Sequence, residues 1–292
     1  MSPSGKAAVF GTAMRRFESS HPSQCVCYVE KSIQSFETGF FGSFGTNIHP
    51  SSIIGKDVIL GENVKIGPFC TIVGKTYIDS GTRLYGYVSI GMPAQDINTL
   101  QPRGTVEIGK NCEIREFVTI SATKIHGSKT IIGNKCYIMN FSHVAHDVVL
   151  EDNVVLINNV NLGGHVHIGK NAMLMANTAL HQFCKVGAYS ALAPFSGMRQ
   201  DIPPFCLFDG RPGRFAGLNL VALKRAGTET EDLRAIKAIT NLFFKEKLTT
   251  NRIEEQVNKN KTLKENKYVQ DFLLFVKNSD RGITRKTIHD SK

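Results

Sequence analysis

Five of the nine histidines in this 292-residue chain fall in one short segment: His143, His146, His165, His167 and His181. Asp147 directly follows His146, and a histidine beside a carboxylate can act as a general base on a hydroxyl group. Several neutral imidazoles close together can alternatively bind a zinc ion, with the ligand set completed across a subunit interface. A single surface histidine is more often simply solvated, but five that converge on one segment favour a functional site.

The spacing of three positions suggests how this segment is arranged. His146, Gly164 and Gln182 follow one another at intervals of 18 residues. In a chain that coils once every 18 residues they would form one column, with neighbours about 4.8 Å apart as in adjacent β-strands. His165 and His181 would lie beside that column. Gly164 would let its backbone approach a reacting group closely, and its N–H could stabilise an oxyanion.

A repeat of six residues supplies such a coil. Of the 25 positions at six-residue intervals from 48 to 192, 22 hold Ile, Leu or Val, and the exceptions are Asp96, Pro102 and His126. A helix would need a period of 3.6 and a half-buried strand a period of two. A period of six instead marks a parallel β-helix of hexapeptide repeats, in which three flat sides make one coil.

The repeat also sets the domain organisation. We predict a β-helix over residues 46–197, with projecting loops at 91–105 and 121–130, where the repeat is absent and turn formers are frequent. Residues 198–292 should contain an irregular Pro/Gly-rich connecting segment and then a C-terminal helical domain that caps the β-helix. Apolar residues at helical spacing predict its helices at 228–247, 251–258 and 268–276.

Composition and charge restrict the partners. The net charge of +10 favours an anionic partner, but there is no nucleic-acid-binding motif and no concentrated basic arm. No apolar run approaches the roughly 18 residues that a membrane-spanning helix needs. The seven cysteines are scattered without a CxxC pair, which is typical of reduced thiols, and those inside the repeat are expected to fill the core.

The motifs together resemble the UDP-N-acetylglucosamine O-acyltransferase family over roughly residues 46–286. The resemblance includes the left hand of the β-helix, which spacing alone does not give. The segments that carry it are Gln95-Asp96, His143-Val144-Ala145-His146-Asp147, Gly163-Gly164-His165-Val166, His181-Gln182-Phe183, Gln200-Asp201-Ile202-Pro203-Pro204, Gly217-Leu218-Asn219, Leu223-Lys224-Arg225 and Asp280-Arg281-Gly282-Ile283-Thr284-Arg285.

The resemblance implies a reaction and a set of roles. A 3-hydroxyacyl chain would pass from acyl carrier protein to the 3-hydroxyl of UDP-N-acetylglucosamine, the first step of lipid A biosynthesis. His146 would be the general base, Asp147 would orient or stabilise it, and the Gly164 N–H would stabilise the oxyanion. The family is trimeric, with sites in clefts between neighbouring subunits, and uses no cofactor or catalytic metal. The substrate contacts implied are Asp96, His143, His165, His181, Gln182, Asn219 and Arg225.

The net positive charge of the chain fits this function, because carrier proteins are acidic and dock electrostatically.

Some positions depart from the family pattern. Asn98 replaces a lysine, Val221 replaces a glutamate and Pro212 replaces a histidine. We expect these changes to affect nucleotide affinity more than the chemistry. Pro194 and Phe195 stand where smaller residues can occur in the region that gauges acyl length. We therefore expect a restricted acyl pocket, although its preferred chain length does not follow from sequence.

Two alternative functions remain open from sequence. A zinc-dependent γ-class carbonic anhydrase would share the scaffold but would need no C-terminal helical cap. A non-catalytic homologue would keep the fold without turnover, and the changes at Asn98 and Val221 are compatible with it.

Residues 1–45 precede the first repeat and carry Arg15, Arg16 and several serines. We expect them to be a leader, with a mitochondrial transit peptide as the first interpretation and a cytoplasmic protein as the alternative.

Overall fold

The computed structural model describes residues 48–97 and 104–290. From Ile48 to Met198 these residues form a left-handed parallel β-helix with a triangular cross-section. The first face has eight strands, the second has seven and the third has nine, of which the last two form a hairpin after the β-helix. The other strands each pair with the equivalent strand of the next coil. Residues 18 apart are in register wherever no loop intervenes, as in the pairs Val144↔Leu162 and Leu162↔Leu180.

The strands are mostly two residues long because the chain turns at a corner every six residues. The first face contains Ile53–Ile54, Thr71–Ile72, Ser89–Met92, Thr119–Ser121, His143–Val144, Asn161–Leu162, Ala179–Leu180 and Gly197–Met198. The second face contains Val58–Leu60, Lys75–Ile78, Thr105–Ile108, Lys129–Ile132, Val149–Leu150, His167–Ile168 and Lys185–Val186. The third face contains Lys65–Ile66, Arg83–Leu84, Glu113–Ile114, Tyr137–Ile138, Val155–Leu156, Met173–Leu174, Ala191–Leu192, Cys206–Gly210 and Gly213–Leu218.

The inside of the prism explains the six-residue repeat. Side chains at the repeat positions, such as Ile66, Ile114, Val144 and Leu174, are fully buried. Each such side chain contributes roughly 1.5–3 kcal/mol when it leaves water. Cys70, Cys112, Cys136, Cys184 and Cys206 are also buried and are free thiols, as expected for small core-filling residues.

The corners require an uncommon backbone conformation. One residue in each corner has a positive φ close to 60°, as at Asp147 and Asn153. Asparagine and glycine adopt this left-handed conformation most easily, which explains the frequency of asparagine along the corner between the second and third faces. Elsewhere aromatic residues or histidine occupy the same position, as at Phe141 and His165, so another role must justify them there.

Both interruptions of the repeat lie at the corner between the first and second faces. They are shorter than the sequence suggested, because Gly91, Met92 and Thr105 belong to strands at one interruption and Ser121, Lys129 and Thr130 at the other. A strand can continue past the last repeat residue wherever its neighbour in the next coil offers backbone partners. Part of the first loop lies outside the described residues.

The segment after the last coil is more regular than predicted. Cys206–Gly210 and Gly213–Leu218 form an antiparallel hairpin, with Pro212 in its turn, and the first of these strands pairs in parallel with Ala191–Leu192. The stretch 198–219 was expected to be irregular. Pro203 and Pro204 instead precede the first strand, and Gly210, Pro212 and Gly213 lie at the hairpin turn. The hairpin continues the third face and ends the parallel stacking.

The C-terminal helices pack on this hairpin. They are Leu220–Arg225, Thr230–Thr240, the π-helix Asn241–Lys245, Thr250–Lys259, Lys261–Glu265 and Lys267–Lys277. Aromatic side chains join the two parts, since Phe215 of the hairpin stacks on Phe244 with ring centroids 3.9 Å apart. Within the helices, Phe243 contacts Phe272 edge to face. Within residues 48–97 and 104–290, none of the helices combines the length and apolarity needed to cross a membrane.

The last described residues return to the end of the β-helix. The Asp201 N–H donates to the Gly282 carbonyl at 2.9 Å, and the Phe215 N–H donates to the Lys286 carbonyl at 3.0 Å. Residues 279–290 therefore form a strap that ties the helical domain to the final coil. The predicted leader, residues 1–45, lies outside the described residues.

Candidate active site

The histidine-rich segment forms the corner between the first and second faces, here called the histidine corner (Ala145–Asp147, Gly163–His165 and His181–Phe183). Successive coils place these residues above one another, since the His165 N–H donates to the His146 carbonyl and the Phe183 N–H donates to the Gly164 carbonyl. The column expected from the 18-residue spacing is therefore present. Both loops project from this same corner.

His146 and Asp147 form a hydrogen-bonded pair. The Nδ1 of His146 lies 2.8 Å from Oδ2 of Asp147. Because an ionised carboxylate can only accept, Nδ1 carries the proton and Nε2 keeps a free lone pair. Nε2 makes no hydrogen bond within residues 48–97 and 104–290, so it is available as a base. Asp147 is mostly buried, with 8% of its side chain exposed.

The second loop holds the other carboxylate oxygen of Asp147, Oδ1. Ser128 Oγ donates to Asp147 Oδ1 at 2.5 Å, and Thr123 bonds to Ser128 in turn. The Asp147 N–H also donates to Thr130 Oγ1 at 3.0 Å. These contacts leave the carboxylate little freedom to rotate, which holds the imidazole of His146 in one orientation. Nothing in the sequence singled out Ser128, because its partner lies 19 residues away on another coil.

Gly164 packs directly against the imidazole ring of His146. A Cβ built on Gly164 would lie 2.7 Å from Cε1 and 2.8 Å from Nε2 of His146. Only glycine therefore fits without moving the ring. The Gly164 N–H makes no hydrogen bond with any described part of the chain, and it lies on the same corner as the free Nε2 of His146. A base and an oxyanion donor are thus available side by side.

The ionisation of the cluster suits this arrangement. Burial alone would raise the pKa of Asp147, but hydrogen bonds from Ser128, His146 and Thr123 hold it below its usual range. Burial lowers the pKa of His143, and the neighbouring His146 lowers it further. Burial also lowers the pKa of His165, with Asp147 opposing and both His146 and Lys124 adding to the shift. At neutral pH the site therefore combines an ionised Asp147 with neutral His143 and His165.

Four more of the predicted substrate contacts surround the pair. His143 hydrogen-bonds through Nδ1 to Thr119 Oγ1 at 2.7 Å, and His165 stacks on Phe183 with centroids 4.6 Å apart. His181 and Gln182 are exposed on the coil above.

Asp96 lies on the first loop. It accepts from Lys124 of the second loop at 2.5 Å, so the two loops are joined at this corner. Lys124 was not identified from sequence, and nothing in its local pattern distinguishes it from a solvated loop lysine. Asn98, the departure noted nearby, lies outside the described residues.

The remaining two predicted contacts are elsewhere. Asn219 and Arg225 line a cleft of about 770 Å³ on the third face, beside Met173 and Tyr189. The third face is opposite the histidine corner in a triangular prism, so one chain does not bring these two residues to His146. Val221 lines the same cleft and is exposed. In place of an acidic side chain it gives this rim an apolar surface.

The corner between the third and first faces carries an exposed row of aromatic rings. Phe69, Tyr87, Phe117 and Phe141 stack one above another with centroids 4.9–5.0 Å apart. Between 45% and 58% of each residue is exposed, and Phe195 is exposed on the same corner two coils above Asn159. This aromatic corner is a large apolar feature for a surface, and such patches mark sites of association.

Among residues 48–97 and 104–290, one group of side chains could hold a metal ion. His146, Asp147 and His165 offer ligand atoms that all lie within 4.8 Å of one another. Two imidazoles and a carboxylate are a donor set that suits zinc. The same three groups are also explained by the hydrogen-bonded pair and its neighbour, so the donor set alone does not decide between the two chemistries.

The coils and the corner define a class of proteins, the hexapeptide-repeat transferases. The family model "Bacterial transferase hexapeptide (six repeats)" matches residues 44–74 and 129–164. A second model, "Udp N-acetylglucosamine O-acyltransferase; Domain 2", matches residues 201–284, which include the hairpin, the helices and part of the strap.

Individual relatives cover most of the chain. The acyl-[acyl-carrier-protein]–UDP-N-acetylglucosamine O-acyltransferase of Sulfurovum sp. is 35% identical over 82% of this chain and 99% of its own length. The enzyme of the same name from Aliarcobacter butzleri is 37% identical over 81% and 97%. The solved UDP-N-acetylglucosamine acyltransferase from Campylobacter jejuni superposes with a TM-score of 0.73 at 31% identity, over 81% of this chain and 98% of that one. The chain therefore belongs to the UDP-N-acetylglucosamine O-acyltransferase family.

Proposed function

We propose that this protein transfers a 3-hydroxyacyl group from acyl carrier protein to the 3-hydroxyl of UDP-N-acetylglucosamine, the first step of lipid A biosynthesis. Membership of the family supports the choice of substrates, because its relatives are named for that reaction. The observation that carries the chemistry is the 2.8 Å contact between His146 Nδ1 and Asp147 Oδ2, which leaves Nε2 free beside Gly164.

The proposed reaction follows from these positions. Nε2 of His146 removes the proton from the sugar hydroxyl as its oxygen attacks the thioester carbonyl of the donor. The carbonyl oxygen becomes an oxyanion, which the Gly164 N–H stabilises. When the tetrahedral intermediate collapses, the C–S bond breaks and the protonated imidazole returns its proton to the leaving thiolate. Asp147 stabilises the imidazolium between these two steps.

We propose that the complete site forms between subunits of a homotrimer. His143, His165, His181, Gln182 and Asp96 surround the base, whereas Asn219 and Arg225 line a cleft on the opposite face of the same prism. A second copy that presents its third face to this corner would bring both sets to one substrate. Such a head-to-tail contact closes into a ring when the rotation between copies is right.

The aromatic corner supports the same assembly. Four stacked rings exposed to water would be costly on an isolated rod, and contact with neighbouring copies would bury them. The position of this corner, beside the third face, places it next to the proposed contact.

The proposed donor protein fits the charge of the chain. Acyl carrier proteins are acidic, and complementary charge raises the rate of encounter. Residues 198–290 carry the exposed cations Arg234, Lys237, Lys261 and Lys264 among their helices, so this part of the chain is the proposed docking side.

The decisive experiment compares acyl transfer by the wild type, His146→Ala and His167→Ala, with 3-hydroxyacyl carrier proteins of several chain lengths. Loss of a general base should lower kcat by roughly 10²–10⁴. His167 is a matched control, since it also pairs with a carboxylate at 2.8 Å, that of Glu151, but on the second face. A folded oligomer that shows no turnover with any donor would instead support the non-catalytic homologue.

The carbonic anhydrase alternative has one observation in its favour, the three possible zinc ligands at His146, Asp147 and His165. It leaves the C-terminal helices without a role, and the relatives are acyltransferases. Metal analysis of the purified protein separates the two. Stoichiometric zinc, with carbon dioxide hydration that a chelator abolishes, would favour the anhydrase; acyl transfer that survives the chelator would exclude it.

Two further proposals concern the acyl chain and the location. Pro194 and Phe195 are exposed beside the aromatic corner, and we propose that they restrict the acyl pocket, so that short donors react faster than long ones.

We also propose that the chain is mitochondrial, as the composition of residues 1–45 suggests. A fluorescent fusion to those residues that stays in the cytosol would contradict the second proposal.

A further inference from the structure

The strap at the C-terminal end of the chain reaches a side chain of the histidine corner. The guanidinium of Arg281 places Nη2 3.2 Å from Nδ1 of His181, a residue 100 positions earlier in the sequence. A second nitrogen of the same group, Nε, donates to the Arg199 carbonyl at 3.1 Å. The planar guanidinium is therefore held at two points, and its direction toward His181 is set by the final coil.

The strap is itself anchored. The Asp201 N–H donates to the Gly282 carbonyl, and Ser279 Oγ donates to Asp201 Oδ2 at 2.7 Å. Asp201 is fully buried and also accepts from the Lys185 N–H at 2.7 Å. Ser279 and Gly282, on either side of Arg281, are thus fixed to the final coil, which places the Arg281 backbone near His181.

Two groups compete for Nδ1 of His181. The backbone carbonyl of Gln182 lies at 3.2 Å, the same distance as the guanidinium. A carbonyl only accepts and would require Nδ1 to carry the proton, whereas a guanidinium only donates and requires Nδ1 to be a lone pair. The two contacts cannot both be hydrogen bonds to one neutral imidazole. The tautomer of His181 therefore depends on which of the two groups bonds to Nδ1.

We propose that Arg281 is a positioning residue that keeps the Nε2–H tautomer of His181, so that this ring presents a donor to the bound substrate. The inference rests on the proposed function, in which His181 contacts substrate. Without Arg281 the Gln182 carbonyl would capture Nδ1–H, and Nε2 would present a lone pair instead. A donor required by the substrate's carbonyl, hydroxyl or phosphate oxygens would be lost.

The test uses the full-length protein and three variants. Arg281→Met keeps the apolar stem and removes all donors, and Arg281→Lys keeps one cationic donor. Arg214→Met is the matched control, because Arg214 Nη1 donates to the Asp290 carbonyl at 3.0 Å and holds the same strap without touching His181. NMR of protein with ring-¹⁵N histidine, assigned with His181→Ala, reports the tautomer without any substrate.

The expected spectrum shows Nε2–H at His181 in the wild type and the Arg214→Met control, and Nδ1–H in Arg281→Met. Finding the same tautomer in wild type and Arg281→Met would overturn the proposal, whatever the activity. This readout is independent of turnover, so an inactive wild type would count against the proposed function and leave the tautomer result standing.

Kinetics supply a second test. Loss of a charge-assisted contact should lower kcat/KM for UDP-N-acetylglucosamine about tenfold in Arg281→Met, with partial recovery in Arg281→Lys. In a His181→Ala background the same Arg281→Met change should have little further effect, because its target is gone. Equal losses in both backgrounds would show that Arg281 acts on substrate or on the fold directly, and would overturn the role assigned to it.

Discussion

His146 and Arg225 lie on opposite sides of one triangular prism, the first at a corner and the second over the facing side. If both serve one substrate, each site must take them from different copies of the chain. This division can be tested without any structure of the assembly.

Mixed oligomers of two inactive variants should regain activity. Chains with His146→Ala and chains with Arg225→Ala, co-expressed in equal amounts, would combine at random, and about a quarter of the sites between copies would then hold both native residues. We expect about that fraction of wild-type activity, measured against each variant alone. If sites lie within single chains, no mixture contains an intact site, and the co-expressed protein would be as inactive as its parents.

Gly164→Ala should reduce activity far more than stability. The added methyl would lie within 2.8 Å of His146 Nε2, so the ring must move, and a displacement of about 1 Å can cost roughly 100-fold in rate. Gly197→Ala serves as the control for an added methyl, because its nearest neighbour is the flexible Arg211 side chain at 3.2 Å. Comparable kcat values for the two variants would contradict the close fit between Gly164 and the base.

Asp147→Asn should weaken the acid dependence of stability. The folded-state pKa of Asp147 is below its ordinary value, so the folded chain binds fewer protons than the unfolded chain near that pH. Its contribution is present above the unfolded pKa of about 4 and is lost as pH falls through the folded pKa. Thermal unfolding at several pH values should show a smaller acid-induced fall in Tm for the variant. Parallel curves would mean that the pKa of Asp147 is the same in the folded and the unfolded chain.

Substitution on the aromatic corner should dissociate the proposed trimer. Asparagine tolerates the positive φ of Phe117 and Tyr87, so the double variant Phe117→Asn/Tyr87→Asn keeps the backbone and removes only the rings. Each ring buried at an interface contributes roughly 1.5–3 kcal/mol. Sedimentation over a concentration series should show smaller species than wild type. Lys135→Asn is the control, since Lys135 has the same conformation on a different corner; equal dissociation of both variants would implicate the coil rather than the rings.

Much of this architecture could be predicted from sequence, because a period of six is a strong and local signal. The spacing of 18 was enough to align His146 with Gly164 and to predict a base beside an oxyanion donor. Other contacts could not be predicted from the sequence. Ser128 and Arg281 act across 19 and 100 positions, so only the folded loops and the strap bring them to Asp147 and His181. The hairpin was missed because the prolines and glycines before it, at its turn and in its strands resemble those of an irregular segment.

The antiparallel hairpin at the end of the third face also bears on how such proteins can change in length. The coils of residues 48–90, far below it, carry no projecting loop and none of the residues assigned to the site, and the stabilities of such stacked units add approximately. The histidine corner uses three consecutive coils, and the hairpin, helices and strap are all attached at its upper end. Whole coils could therefore be gained or lost at the lower end of the rod without altering one distance in the site. The number of coils can therefore change during evolution, whereas the active site stays at a fixed distance from the end that the hairpin closes.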